Sequence, residues 1–267
     1  MTYYHKPVLL QSALHFLAIQ PGGHYVDCTL GGGGHTAEII HQGGLVLGLD
    51  QDPVALTACL ALPKLRQAKE GRNLVLVRSN FTHLSEIVAK HNWKPLDGIL
   101  IDLGMSSFQV DSPVRGFSFQ ATGPLDMRMD PALPITAATL VNQLPVKQLT
   151  SLFKDFGEIP VAKLLAAKII SARPLVTTTN LAQITGKWSR QAFQALRIAI
   201  NDELGALESV LAQSRDLLAP QGRLVVISFH SLEDRIVKNT MKDWKTLTPK
   251  PVTGEKSAKL RAYEKTI

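Results

Sequence analysis

Cysteine is nearly absent from this chain. Two occur among 267 residues, Cys28 and Cys59, and no C-x-x-C pair exists. That excludes a disulfide scaffold and a thiolate metal site, and it reads as two buried thiols in a reducing compartment. The eight histidines are scattered without ligand spacing, so no metal is expected. No run of 18 apolar residues occurs, so no membrane span is expected. The stretch Met1-Thr2-Tyr3-Tyr4-His5-Lys6-Pro7 lacks the layout of a signal peptide. There is no P-loop lysine, which excludes that class of nucleotide hydrolase. Internal repeats and low-complexity tracts are missing as well.

What is present is a core-forming composition, with 45% hydrophobic residues, and an uneven excess of positive charge. Residues 1–111 carry a net −1 and residues 206–235 also −1, whereas residues 112–205 carry +4 and residues 236–267 carry +5. A near-neutral core with two basic segments suggests a polyanionic partner such as nucleic acid.

The first half alternates helical and strand patterns. Pro7 to Ile19 reads as a helix and His24-Tyr25-Val26 as a strand leading into Asp27-Cys28-Thr29-Leu30-Gly31-Gly32-Gly33-Gly34-His35. A helix follows, then strands at Leu45–Asp50, Asn73–Arg78 and Leu96–Asp102. Asp52-Pro53 opens a helix as cap and first helical residue. Near-continuous apolar strands suit a parallel sheet covered on both faces, so a doubly wound, Rossmann-like α/β sheet is expected. Leu103–Pro134 has no clear period and several prolines and glycines, as functional loops do. From Ile135 to about Ala206 only helical patterns occur, with examples at Val146–Phe156, Val161–Ala172 and Phe193–Leu207. A buried strand returns at Gly222–Phe229, and Ser231-Leu232-Glu233-Asp234 reads as a capping box. The basic tail is expected to add one or two closing strands. The organisation expected is a core of residues 1–110 and 206–267, interrupted at 111–205 by a loop and an all-helical insertion domain.

Three aspartates, Asp27, Asp50 and Asp102, end three of the expected strands. In a parallel sheet those ends share an edge, so they converge with the glycine loop on the crevice where such sheets bind ligands. Asp50 follows Asp27 by 23 residues, close to the spacing at which an acid bonds adenosine ribose hydroxyls. Gly32-x-Gly34-x-x-Ala37 loosely fits a dinucleotide fingerprint. Acids beside the loop favour a ligand carrying an ammonium and a sulfonium, S-adenosylmethionine, over a pyrophosphate. An NAD-dependent oxidoreductase stays open as an alternative on this sheet.

Several stretches resemble one family. Asp27-x-Thr29-x-Gly31-x-Gly33-Gly34-His35-Thr36 is similar to the first motif of the ribosomal RNA small subunit methyltransferase H (MraW) family. So are Asp102-Leu103-Gly104-Met105-Ser106-Ser107-x-Gln109, Arg115-Gly116-Phe117-Ser118-Phe119 and Gly123-Pro124-Leu125-Asp126-Met127-Arg128-Met129-Asp130. Phe193 to Leu204, Ser228 to Lys238, and Ser257-Ala258-Lys259-Leu260-Arg261 continue the match in order over nearly the whole chain. Three stretches depart from the family pattern: Thr179–Phe193 and Trp244–Ser257 are short, and Ile159-Pro160 stands where more charge is usual.

The resemblance implies a class I S-adenosylmethionine-dependent methyltransferase of the cytoplasm. It implies methylation of cytidine N4 in the decoding centre of 16S ribosomal RNA, taken as naked RNA or as the assembled small subunit. Carried over by position, cofactor contacts fall on Gly33, Gly34, His35, Asp50, Phe81, Asp102 and Gln109, with His35 contributing its backbone N–H. Asp102 and Ser106 are the expected acceptors for the amine's protons. Phe117, Phe119 and Phe229 are aromatics on which a splayed cytosine would stack. Arg115, Arg128, Arg197, Arg235, Lys259 and Arg261 are candidate RNA contacts, although Arg115 and Arg128 would alternatively pair with Asp126 or Asp130. A second alternative is a non-catalytic RNA-binding or ribosome-assembly factor that keeps the cofactor pocket.

Overall fold

The computed structural model describes residues 7–65, 68 and 72–266. In chain order the regular elements begin with α1 (Leu10–Leu17), β1 (His24–Asp27), α2 (Gly34–His41), β2 (Leu45–Asp50), α3 (Pro53–Ala61), β3 (Leu74–Arg78), α4 (Leu84–Lys90) and β4 (Leu96–Asp102). Six helices follow: α5 (Ser107–Asp111), α6 (Ala137–Gln143), α7 (Val146–Asp155), α8 (Ala162–Ser171), α9 (Thr178–Thr185) and α10 (Ser189–Asn201). The chain closes with α11 (Glu203–Leu217), β5 (Leu218–Ser228), α12 (Ser231–Thr240), β6 (Lys245–Thr246), β7 (Val252–Thr253) and β8 (Lys259–Glu264). Two compact units result, Met1–Ser106 with Leu204–Ile267, and Ser107–Glu203. No helix among the described residues is long and apolar enough to cross a membrane.

The first unit is built on one sheet of order β3-β2-β1-β4-β5-β8-β6, with β7 also paired to β8. Strands β1 to β5 are mutually parallel, and β8 runs antiparallel to β5. The apolar runs explain the layering. Val26, Leu47, Leu49, Ile99, Ile101, Leu224 and Val226 enter one core with α4 and α11. Their neighbours Tyr25, Val46, Leu100, Val225 and Ile227 enter a second core with α1 and α2. Successive strand residues point to opposite faces, so a sheet covered on both sides needs both sets apolar. Strand order reverses at β1, which has β2 on one side and β4 on the other. That is where a parallel sheet opens a crevice beyond its strand C-termini.

The second unit is helical, with its own core of Phe117, Leu125, Met127, Leu149, Phe153, Leu165, Ile169, Leu181, Phe193 and Leu196 among others. Capping boxes start two of its helices: Thr136 with Thr139 at α6, and Thr177 with Asn180 at α9. The expected helical stretch through Phe193–Leu207 is broken at Asp202, whose left-handed φ of 48° ends α10 before α11 begins.

Local expectations shift in several places. The strand expected from Gly222 begins at Leu218, and the tail supplies three strands. The helix expected from Pro7 starts at Leu10. The cap of α12 is His230, not Ser231: the Glu233 carboxylate accepts from the His230 amide, and Glu233 N–H faces His230 Nδ1. Asp52 caps α3 as expected, its side chain accepting from Val54 N–H at 3.1 Å.

Candidate functional site

The loop between β1 and α2 is held by three strand-end aspartates, two through their carboxylates and one through its backbone amide. Asp27, at the end of β1 and 1% exposed, accepts from Thr29 N–H at 3.2 Å and from the Thr36 hydroxyl at 2.7 Å. Asp50, at the end of β2, accepts from Gly31 N–H and from Asp52 N–H, both at 2.9 Å. Asp102 ends β4, and its backbone N–H donates to the Thr29 hydroxyl at 2.6 Å. The glycine loop is thus tied to all three strand ends.

Gly33 has φ +76°, and a Cβ there would sit 2.6 Å from Cys59 Sγ. Glycine is required on both counts. Cys59 itself is fully buried and free, and burial pushes its thiol up to about 12, so it packs as a small apolar residue.

Electrostatically the crevice is unusual. Burial raises the Asp50 carboxyl to about 6, despite the two amides it accepts. Burial also raises Asp27 and lowers the His35 imidazole, and it raises Asp102 well above the carboxylate range, helped by the charges of Asp27 and Glu233. Asp102 Oδ1 is buried and has no hydrogen-bond partner among the described residues. Its Oδ2 lies 3.8 Å from His35 Nδ1, and His35 Nε2 lies 3.2 Å from the Val8 carbonyl. An orphaned carboxylate oxygen among three acids fits a cationic ligand and opposes a pyrophosphate.

The other residues singled out by sequence fall in varied settings. Gly34, the first residue of α2, would bring a Cβ to 2.3 Å from Pro7 Cγ. Phe81 opens a 3-10 turn after β3 and packs partly buried on the sheet core. That turn is joined to the end of β2 by Asn80 Nδ2 donating to Gln51 Oε1 at 3.1 Å. Ser106 is half-buried beyond β4. Phe229 packs over Gly104, where a Cβ would meet its ring at 3.3 Å. Gln109 is buried on α5 of the second unit. There Phe117 is 5% exposed, whereas Phe119 is exposed and meets Phe193 edge-on at 5.6 Å.

Four of the candidate RNA-contact arginines have internal partners, and for Arg128 it is the expected alternative, Asp126. Arg197 is buried and bonds both carboxylate oxygens of Glu203, at 2.7 and 2.9 Å, across the α10–α11 break. Arg128 grips Asp126 with two bonds of 2.8 Å and donates to the Pro131 and Leu133 carbonyls. Burial alone would raise the Asp126 carboxyl, and those bonds outweigh it and hold it low. Arg115 donates to the Arg128 and Met129 carbonyls. Arg261 bonds both oxygens of Asp234, at 2.6 and 3.2 Å. Each of these four guanidinium groups is tied to internal acceptors through one or more of its nitrogens, so each serves the fold. Lys259, 3.5 Å from Asp234, keeps 42% of its side chain exposed, and Arg235 is exposed on α12.

Two positioning residues had no role assigned from sequence. Thr29 carries the loop-to-β4 bond just described. Asn201, 5% exposed, accepts from Met129 N–H at 2.7 Å and donates to the Met127 and Arg197 carbonyls at 2.9 Å, fixing the Leu125–Met129 segment against α10.

A family model described as the MraW methylase family matches residues 2–266. The chain belongs to this family. A protein of Symbiobacterium thermophilum named ribosomal RNA small subunit methyltransferase H is 45% identical over 262 residues, covering 91% of this chain and 81% of the relative. One of the same name from Heliobacterium mobile is 40% identical, with 99% and 100% covered. That alignment runs over 315 positions, so the relative carries stretches this chain lacks. Among solved structures, a candidate methyltransferase of Streptococcus mutans in complex with SAH superposes with a TM-score of 0.50 at 13% identity, covering 98% of this chain and 99% of that one. The fold is that of class I S-adenosylmethionine-dependent methyltransferases, and membership of a methylase family displaces the oxidoreductase alternative.

Proposed function

We propose that this protein transfers a methyl group from S-adenosylmethionine to N4 of a cytidine in the decoding centre of 16S ribosomal RNA, in the cytoplasm. The observation that carries the reading is the acidic crevice around the glycine loop, with its orphaned Asp102 oxygen, in a chain whose relatives are named for small-subunit ribosomal RNA methylation. Gly33, Gly34, His35 and Asp50 would hold the cofactor, with Phe81, Asp102 and Gln109 completing the set. S-adenosylmethionine supplies, when bound, an electrophilic methyl on a sulfonium whose carbon–sulfur electron pair returns to sulfur on transfer.

The protein's task is placement. The exocyclic amine of cytosine is a weak nucleophile because its lone pair is conjugated with the ring. An acceptor for its protons lets the nitrogen pyramidalise toward the methyl. Asp102 Oδ1 is the best-suited acceptor, being buried and without a hydrogen-bond partner among the described residues, and Ser106 is the second candidate. Phe119 and Phe229 remain as surfaces for an unstacked base, whereas Phe117 is a core residue. RNA contacts fall to Arg235 and Lys259, with the exposed Lys238 and Lys242 extending the same basic segment. Truncating the tail cannot test this, since β8 lies inside the sheet.

The test is single-turnover methyl transfer measured beside calorimetric affinity for S-adenosylhomocysteine. Asp102→Ala should lower the rate at least a hundredfold. A Ser106→Ala rate equal to wild type removes Ser106 from the chemistry. Binding of the thioether with no transfer to any small-subunit RNA would leave the assembly-factor reading in its place.

A further inference from the structure

His35 was expected to act through its backbone alone, but its side chain is the buried group that geometry links to the acceptor. The imidazole is 6% exposed on the first turn of α2, between the Val8 carbonyl and Asp102. A carbonyl only accepts, so the 3.2 Å contact to Val8 requires the proton on Nε2. Nδ1 of the neutral ring is then a bare lone pair, and it faces Asp102 Oδ2 at 3.8 Å. A lone pair facing a carboxylate is stable when a proton lies between them. The other oxygen, Oδ1, is buried and has no hydrogen-bond partner among the described residues. One carboxyl group therefore presents one oxygen to a base and keeps the other without a hydrogen-bond partner among the described residues.

From this arrangement we infer that His35 and Asp102 form a proton-relay dyad, in which His35 is the positioning residue and Asp102 the group that meets the amine. The inference rests on the amino-methyltransferase reading given above. After methyl transfer N4 carries one proton in excess and a positive charge. Asp102 Oδ1 accepts that proton as the proton on Oδ2 passes to His35 Nδ1. The nitrogen becomes neutral, Asp102 stays neutral, and the positive charge rests on an imidazolium whose Nε2–H is held by Val8. No charge is created, because the sulfonium charge lost in the transfer reappears on His35. Release of the proton to water as product leaves restores the dyad.

The groups facing the dyad are consistent with this. Asp27 from β1 acts electrostatically on both members, and Glu233 from α12 acts on Asp102. Burial favours the neutral form of both members at rest, and the Asp27 charge supports the imidazolium during turnover. The 3.8 Å separation is longer than a hydrogen bond, and proton transfer requires the two side chains to close by about 1 Å.

His35→Gln tests the relay, since the glutamine amide can keep a donor toward Val8 while offering no titratable nitrogen. Expected are an affinity for S-adenosylhomocysteine within threefold of wild type, a single-turnover rate lowered about a hundredfold, and an acidic limb of the pH–rate profile moved to lower pH. A profile and rate matching wild type would overturn the proposal, as would a loss of rate fully explained by lost thioether affinity. A second readout needs no RNA substrate. Nitrogen NMR of labelled imidazole in the wild-type protein should show His35 as the Nε2–H tautomer, with an Nδ1 resonance that moves on Asp102→Ala. An Nδ1–H tautomer, or an Nδ1 resonance indifferent to that change, would overturn the dyad. If wild type shows the tautomer but methylates no cytidine amine, the assigned reaction fails while the dyad stands.

Discussion

The backbone amide of Asp102 donates to the hydroxyl of Thr29 at 2.6 Å. This one bond joins the end of β4 to the glycine loop that leaves β1, 73 residues earlier in the chain. The residue with the orphaned carboxylate oxygen is therefore held in register with the loop that forms the floor of the crevice. Thr29→Val preserves shape and removes the acceptor. It should cost about 1–2 kcal/mol in urea unfolding and weaken S-adenosylhomocysteine binding at least threefold by calorimetry. Unchanged affinity at reduced stability would mean the bond serves the fold alone.

Gly33 and Cys59 should be coupled. Gly33→Ala places a Cβ 2.6 Å from Cys59 Sγ and forces a non-glycine residue to φ +76°. A loss of about 2–3 kcal/mol and near-complete loss of cofactor binding are expected. Adding Cys59→Ala relieves the clash but not the backbone strain, so a double-mutant cycle should recover about half of the stability. Full additivity would place the damage in the backbone only.

Cofactor affinity should depend on pH through Asp50, whose carboxyl burial lifts to about 6. Only the anion accepts freely from ribose hydroxyls. Affinity is therefore full above pH 6 and falls as pH drops through it, by about tenfold per unit below that point. Asp50→Asn should weaken binding at pH 8 and abolish the trend. A calorimetric titration series from pH 5 to pH 8 reads both.

Arg197 should matter to stability and not to RNA. Arg197→Met removes the guanidinium from the buried Glu203 carboxylate, and a loss of about 3–5 kcal/mol is expected. Pairing it with Glu203→Gln should return much of that loss. In the double variant the salt dependence of RNA binding should keep its wild-type slope, whereas Lys238→Glu with Lys242→Glu should flatten it. Filter binding at four salt concentrations separates the two cases.

The residues that sequence pattern could reach were those whose signal is local. Asp27, Asp50 and Asp102 each end an apolar run, and the alternation of runs with helices makes their convergence a matter of sheet geometry. Asp52 before Pro53 declares its cap within two residues. Long-range partners leave no such trace. Asn201 holds Met127 and Met129 from more than 70 residues away, and Thr29 reaches Asp102 across 73. An arginine committed to Glu203 or Asp234 looks in sequence like one facing solvent, because composition counts charge and not its partner. His35 illustrates the same limit. A histidine after four glycines announces a helix start, and only the fold brings Val8 and Asp102 to its two nitrogens.

The most direct measurement is to incubate the protein and S-adenosylmethionine with small ribosomal subunits lacking base methylation in the decoding centre, then map the RNA by nuclease digestion and mass spectrometry. The account predicts one added methyl, on N4 of a single decoding-centre cytidine, appearing with wild type and not with Asp102→Ala. A methyl at another atom or another nucleotide, or none with protein that binds S-adenosylhomocysteine normally, would contradict it.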